Sequence, residues 1–243
     1  MPRLARIVIP DVPHHVTQRG NRRLPVFFSD DDRREYLRLI SAAARAEQVR
    51  CLAWCLMDNH VHLILVPPRA ESLRATLAEA HRRYSRMVNM REGWRGYLFQ
   101  GRFASYPMDE AHLMAAVRYV ERNPVAAEMV ARAEDWRWSS ARSHIAGRRV
   151  AGDSLTDVEA LAAAANDWRL VLETGWEAGG GGGQATDAAA AIDSAIEARL
   201  RTGRPLGPDG WIAAMEQRTG RRLRPEKRGR KPLRGHFVRG HFT

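Results

Sequence analysis

Apolar and polar residues recur along this chain in two periods, and the switches between them lay out a series of elements. Val12 to Asn21 (VPHHVTQRGN) has the texture of a strand that ends in a glycine turn. Ser29 stands where a helix cap is expected, with Asp32 three residues on, and Tyr36, Leu37, Ile40 and Ala44 then return on one helical face. Cys51 to Met57 and Val61 to Val66 are apolar runs joined at Asp58-Asn59-His60, and Pro67-Pro68 closes the second, which is the pattern of a hairpin. Ser72 opens a longer helix with a stripe of Leu73, Leu77, Ala80, Tyr84, Met87 and Val88. Tyr97 to Met108 (YLFQGRFASYPM) reads as a strand bent at Gly101, and a third helix from Asp109 carries Leu113, Ala116, Val117 and Val120 up to Pro124. The order is βα-ββ-αβ-α. One sheet built as βαββαβ with helices on one face is the ferredoxin-like arrangement, so the class expected is α+β with a mainly helical, basic C-terminal region.

Beyond Trp138 the texture changes. Thr156 with Glu159 makes a capping box for an alanine-rich helix running toward Leu172. The unbroken run Gly179 to Gly183 reads as a flexible linker. Asp187 to Arg201 then forms a helix that Gly203 ends, and Pro208 starts another that ends at Gly220. The division expected is a first unit over residues 1–147, a helical extension over 148–178, a glycine-rich linker over 179–186, and a basic helical accessory region over 187–243 with a disordered tail.

Charge gives this outline a partner. In the 243 residues, 39 Lys and Arg stand against 28 Asp and Glu, a net +11, which points to a polyanion and first to nucleic acid. Basic surfaces can also be incidental in an arginine-rich chain. Acidic residues nearly vanish in the turn TGRPLGPDG and the tail RRLRPEKRGRKPLRG, which marks Arg204, Arg228 and Arg230 as candidate DNA contacts; a merely solvated basic tail is the plainer reading. Cys51 and Cys55 are read as lying on one strand face, roughly 13 Å apart at the strand rise, too far to bridge. No apolar leader opens the chain and no run of 18 apolar residues occurs, so a cytoplasmic, nucleoid-associated protein with no membrane contact is expected. No GxxxxGK[ST] pattern occurs, so no nucleotide cofactor is expected.

Two short patterns carry candidate chemistry. His60-Val61-His62 on a strand projects two imidazoles from one face, close enough to share a metal ion, with Val61 anchored in the opposite layer. A lone HxH pair is equally a mark of surface or packing histidines. In Tyr119-Val120-Glu121-Arg122-Asn123-Pro124, Tyr119 and Asn123 lie one helical turn apart, and Pro124 is expected to put Asn123 at the helix end. A phenol one turn from an amide oxygen suits phosphoryl transfer, although by itself it usually marks a half-buried tyrosine beside an apolar stripe.

Taken together, HHVTQRGNRRLPVF, NHVHLIL, LFQGRF, RYVERNPVAAEMV, WRWSSARSH and RTGRPLG resemble the single-tyrosine HUH transposases (the IS200-like transposases), and within them the branch associated with repetitive extragenic palindromes. The resemblance is close over about the first 147 residues. It implies a catalytic domain there, with His60 and His62 as metal ligands, Tyr119 as nucleophile and Mg²⁺ or Mn²⁺ as cofactor. Asn123 falls where relatives carry a glutamine as third ligand. Arg19, Asn21, Arg22 and Arg102 become candidates for DNA contact.

The activity implied is metal-dependent nicking and joining of single-stranded or hairpin DNA in palindromic repeats, through a covalent 5′-phosphotyrosine, by a monomer or homodimer. Tyr84 is a rival nucleophile, but it sits on the core stripe of its helix. Other readings are a catalytically inactive relative acting as a DNA-binding regulator, a phosphodiesterase that uses water, and an RNA-binding module. Trp136 and Trp138 are expected to pack on the sheet rather than stack on bases.

Overall fold

Local capping fixes where the first helix begins. Ser29 Oγ accepts the Asp32 N–H at 3.2 Å, and the Asp32 carboxylate reaches back to the Phe28 N–H at 2.8 Å, so α1 (Asp30–Ala46) starts where its sequence signal lies. The same carboxylate takes Arg91 from the last turn of α2 (Ser72–Glu92), which ties the two helices together. In this computed structural model, residues 6–174 and 185–224 are described; Arg228, Arg230, the run Gly179 to Gly183 and the rest of the expected tail lie outside them.

Four strands, β1 (His14–Arg19), β2 (Arg50–Met57), β3 (His60–Val66) and β4 (Ala104–Pro107), form one sheet in the order β2-β3-β1-β4 with every neighbouring pair antiparallel. This is the expected ferredoxin-like βαββαβ. α1 and α2 cover one face, where Tyr36, Ile40, Leu77 and Tyr84 pack on Val61, Leu63 and Leu65. The opposite face is covered by α3 (Glu110–Ala126), whose Leu113, Val117 and Val120 pack on Ile64, Val66 and Tyr106. Trp136 and Trp138 are packing residues: their indole N–H groups donate to Leu56 O and to Asp30, each at 3.1 Å.

Four expectations need correction. The strand over Tyr97 to Met108 is broken rather than bent. Gly101 sits at φ +58°, only Ala104–Pro107 pairs regularly with β1, and an isolated bridge joins Phe99 to Gly20. Cys51 and Cys55 face opposite sides of the sheet, because a register shift between Cys51 and Ala53 inverts the alternation. Both thiols are free and buried.

The capping box at Thr156 is absent. Its hydroxyl donates to Asp153 and accepts from the Trp54 indole at 2.9 Å, and only short helical segments follow, at Glu159–Leu161 and α5 (Trp168–Thr174), the latter preceded by α4 (Ala141–Ile145). Pro124 lies inside α3, which runs on to Ala126, so Asn123 is within the last turn rather than at its end.

The C-terminal signals read correctly. α6 (Ala185–Thr202) is followed by Gly203 at φ +67°, and α7 (Asp209–Thr219) starts after Pro208 and ends at Gly220 at φ +62°. α6 packs on β4 and α3, and Trp211, Ile212 and Met215 of α7 pack with Ile9, Val12 and Leu223.

Glu121 of α3 is fully buried and accepts from Ser140 Oγ at 2.5 Å, His144 Nδ1 at 2.6 Å and Trp168 Nε1 at 2.7 Å. Glu121→Ala would leave His144 Nδ1 and Trp168 Nε1 buried without an acceptor, while Ser140 Oγ keeps the Trp54 carbonyl at 3.3 Å. At roughly 1–3 kcal/mol for each unsatisfied group, urea denaturation should show a loss of about 2 kcal/mol or more. A loss below about 1 kcal/mol would mean that other groups already satisfy these donors.

Candidate functional site

Strand pairing assembles the site. β1 and β3 pair with Thr17 opposite His62 and Arg19 opposite His60, so both histidines project from the sheet face that α3 covers. His62 is buried at 3% exposure and His60 is half-buried, with ring centroids 4.9 Å apart. From α3, the Tyr119 ring stands edge-on to His62 at 5.7 Å. One turn on, Asn123 comes within reach of His60. The four residues singled out from the sequence are therefore neighbours.

The histidine nitrogens have distinct surroundings. His60 Nδ1 lies 2.6 Å from Asn59 Oδ1, and Asn59 Nδ2 donates to Arg23 O at 3.0 Å. The Asn59 oxygen can then only accept, which puts a proton on His60 Nδ1 and leaves Nε2 as a lone pair. His62 Nδ1 lies 2.9 Å from His15 Nε2, while its buried Nε2 has no hydrogen-bond partner among the described residues. Burial pushes His60 down to about 4, with Arg19 adding to the effect and Asn123 opposing it. Burial, with His15, His60 and Arg19, pushes His62 well below its ordinary value. Neutral imidazoles with bare nitrogens are what a divalent cation requires. Two imidazoles and the Asn123 amide fit such an ion; no cluster of three His, Cys, Asp or Glu side chains suited to a metal occurs among the described residues.

The five tyrosines separate cleanly. Tyr36, Tyr84 and Tyr106 are fully buried, and burial pushes their phenols far above the ordinary value. Tyr84 Oη donates to Val26 O at 2.6 Å, a packing role. Tyr97 is 89% exposed but lies beside Leu77 and His81 of α2, on the other face of the sheet. Tyr119 alone is both half-buried and against the histidine pair.

The candidate DNA contacts fall in two places. Arg19 is exposed beside His60, and Asn21 and Arg22 lie in the exposed turn that follows β1. Arg22 and Arg23 hold φ of 54° and 62°, a left-handed conformation that costs a non-glycine residue free energy and clusters at functional loops. Gly20 opens this turn for a steric reason: a Cβ there would lie 2.1 Å from Leu24 O. Arg102 and Arg204 line a second place, a cleft of about 670 Å³ that also holds Arg6, Arg201 and Arg224. Arg6 sits 3.5 Å over the Phe103 ring and is pushed down to about 10 by burial and by repulsion from Arg102 and Arg74. Sequence reasoning missed His15, Tyr106 and Arg6. Only His15 left a signal, since it alternates with Thr17 and Arg19 on the strand facing the histidine pair.

Residues 9–123, just under half of the chain, match the family model described as IS200-like transposases. A solved structure of a REP-associated tyrosine transposase bound to a REP hairpin shares the fold, with a TM-score of 0.53 at 20% identity over 65% of this chain and 93% of that one. Another solved structure, from Deinococcus radiodurans, covers 50% of this chain and 97% of its own at 18% identity; its TM-score of 0.36 is too low to argue from. No curated protein matches. Among the described residues no helix is long and apolar enough to cross a membrane.

Buried histidines make stability depend on pH. Burial holds His14 at about 4 and His15 and His81 at about 3, against about 6.5 in the unfolded chain. The unfolded chain takes up protons through pH 6.5 that the folded chain refuses until pH 4 or below. Stability is therefore lost as pH falls through that window, by up to ~1.4 kcal/mol per pH unit for each such group. The urea midpoint should be lower at pH 5 than at pH 7; a flat or rising midpoint would contradict this burial.

Proposed function

We propose that the chain is a metal-dependent transposase that nicks and joins single-stranded or hairpin DNA of palindromic repeats, with Tyr119 as nucleophile. His60, His62 and Asn123 would hold a divalent cation, Mg²⁺ or Mn²⁺. The observation that carries this reading is the half-buried Tyr119 ring 5.7 Å from His62, whose Nε2 has no partner among the described residues. The match of residues 9–123 to the IS200-like transposase model supports the transposase class, and the fold shared with a hairpin-bound tyrosine transposase supports the choice of DNA.

The chain's own residues have separate tasks. When bound, the cation supplies Lewis-acid polarisation and alignment of the scissile phosphate. Tyr119 Oη attacks phosphorus and gives up its proton to water. An Oη–P bond forms, the P–O3′ bond breaks, and the departing oxygen takes a proton from water to become a free 3′-OH. A second 3′-OH attacking the 5′-phosphotyrosine reverses these bond changes, restores the phenol and joins two strands without nucleotide hydrolysis. His60 and His62 stay neutral and act as donors of lone pairs. Arg19, exposed beside His60, offsets phosphate charge, and Asn21 and Arg22 contact the strand near the cut. Arg102 and Arg204, in the cleft of about 670 Å³, draw the DNA backbone along the β4 edge.

Incubating the protein with Mn²⁺ and hairpin oligonucleotides should give a protein-linked DNA band on denaturing gels, absent in Tyr119→Phe. Cleavage that persists in the variant would assign the attack to water. Binding without cleavage in the unaltered protein would favour a regulatory DNA-binding role. Arg102→Ala with Arg204→Ala should weaken hairpin binding evenly across sequences and lower the slope of log K against log salt by about 1–2. An unchanged slope would remove the cleft from the DNA path.

A further inference from the structure

His15 touches the candidate metal ligands without being one of them. It is fully buried, its Nε2 is 2.9 Å from Nδ1 of His62, and its Nδ1 is 3.2 Å from Tyr106 Oη. Both of its ring nitrogens are thus engaged, and neither remains for an ion.

A hydrogen bond between two neutral imidazoles holds one proton, so two arrangements exist. In one, His62 carries its proton on Nδ1 and donates it to His15 Nε2. His15 then donates its own Nδ1–H to Tyr106 Oη, and His62 Nε2 is a bare lone pair. In the other, His15 Nε2–H donates to His62 Nδ1, and His62 carries its proton on Nε2. That N–H would be buried with no acceptor among the described residues and would block coordination. A lone pair at the same atom is what a cation takes up.

His60 is held by parallel logic. Asn59 Oδ1 accepts from its Nδ1 at 2.6 Å, which leaves Nε2 as the free nitrogen. Both histidines of the pair therefore have Nδ1 anchored behind them.

We propose that His15 is a positioning residue for the metal site: it holds His62 in the Nδ1–H tautomer so that Nε2 is presented as a ligand, and Tyr106 Oη fixes His15 in turn. This rests on the metal-dependent reading above. β3 supplies the ligand and β1 supplies its orienter, across an antiparallel pair in which His15 is directly opposite Ile64, the next residue after His62 on that face.

Long-range ¹H–¹⁵N spectra of histidine-labelled protein read the tautomer directly, and His62 is expected in the Nδ1–H form in the unaltered chain without metal. Mn²⁺ affinity, followed by the EPR signal of the free ion, supplies the second readout. His15→Phe keeps a ring but removes the acceptor, and should weaken Mn²⁺ binding by about 10–100-fold. His15→Gln, whose amide oxygen can accept from Nδ1–H, should recover most of the loss. If the unaltered protein binds no Mn²⁺, or His62→Ala binds it equally well, the metal-dependent reading fails and the role of His15 falls with it. If His62→Ala abolishes binding while His15→Phe keeps it, or the spectra place the His62 proton on Nε2, that reading stands and the role of His15 is overturned.

Discussion

The antiparallel pairing of β1 with β3 is the constraint on which the site depends. It sets Thr17 opposite His62 and Arg19 opposite His60, and so decides that both imidazoles face α3 rather than the α1 and α2 layer. Side chains alternate along a strand, so a slip of one residue would carry His60 and His62 to the wrong face and Val61, Leu63 and Leu65 out of their core. Those three residues, packed against Tyr36, Leu77 and Tyr84, resist the slip. Apolar packing on one face thereby places the polar chemistry on the other. Gly20 fastens the end of this register: its N–H donates at 2.8 Å to the carbonyl of Asn59, the residue that orients His60.

Burial at this site works in two directions. It keeps the histidines neutral, which suits them to hold a cation, and it removes polar nitrogens from water at a cost in free energy. The structure limits that cost by pairing the buried nitrogens with neighbours: His14 Nδ1 lies 2.7 Å from Val12 O, and His15 lies between His62 and Tyr106. Beside Tyr119, His62 Nε2 is not paired in this way: it is a buried polar atom without a partner among the described residues. Burial also distinguishes the phenols. The core tyrosines are made harder to ionise, while Tyr119 keeps part of its surface open beside the pair.

Much of this was legible in the sequence wherever one local rule acted alone. Ser29 and Asp32 marked the start of α1, Gly203 and Gly220 marked helix ends, and the alternation around Val61 gave the face of each histidine. The misreadings fell where a distant partner outcompeted the local rule. Thr156 looked like a helix cap, but Trp54 and Asp153 take its hydroxyl. Strict alternation put the two cysteines on one face, but the irregularity after Cys51 inverts it. Pro124 was expected to stop α3, yet a proline in the last turn forfeits one hydrogen bond and the helix continues to Ala126. His15 left only its place in the strand alternation, and its role stayed hidden for the same reason. Its partner is 47 residues away, and only the strand register brings them together.

The position of Tyr119 depends on more than the βαββαβ unit. At about 100° per residue, Tyr119 and Asn123 share one side of α3 while Glu121 points from the far side. There it is held by Ser140 and His144 around α4 and by Trp168 of α5. Arg118 and Arg122 add bonds from the same helix to the carbonyls of Val171 at 3.2 Å and Leu172 at 2.5 Å. The segment from Ser140 to Glu173 therefore grips α3 from behind, while Val117 and Val120 seat it on the sheet. The family match ends at residue 123, but the rigidity of the helix that carries the candidate nucleophile is built from residues beyond it. A change in that extension would reach the site through the tilt of α3, without touching the histidine pair.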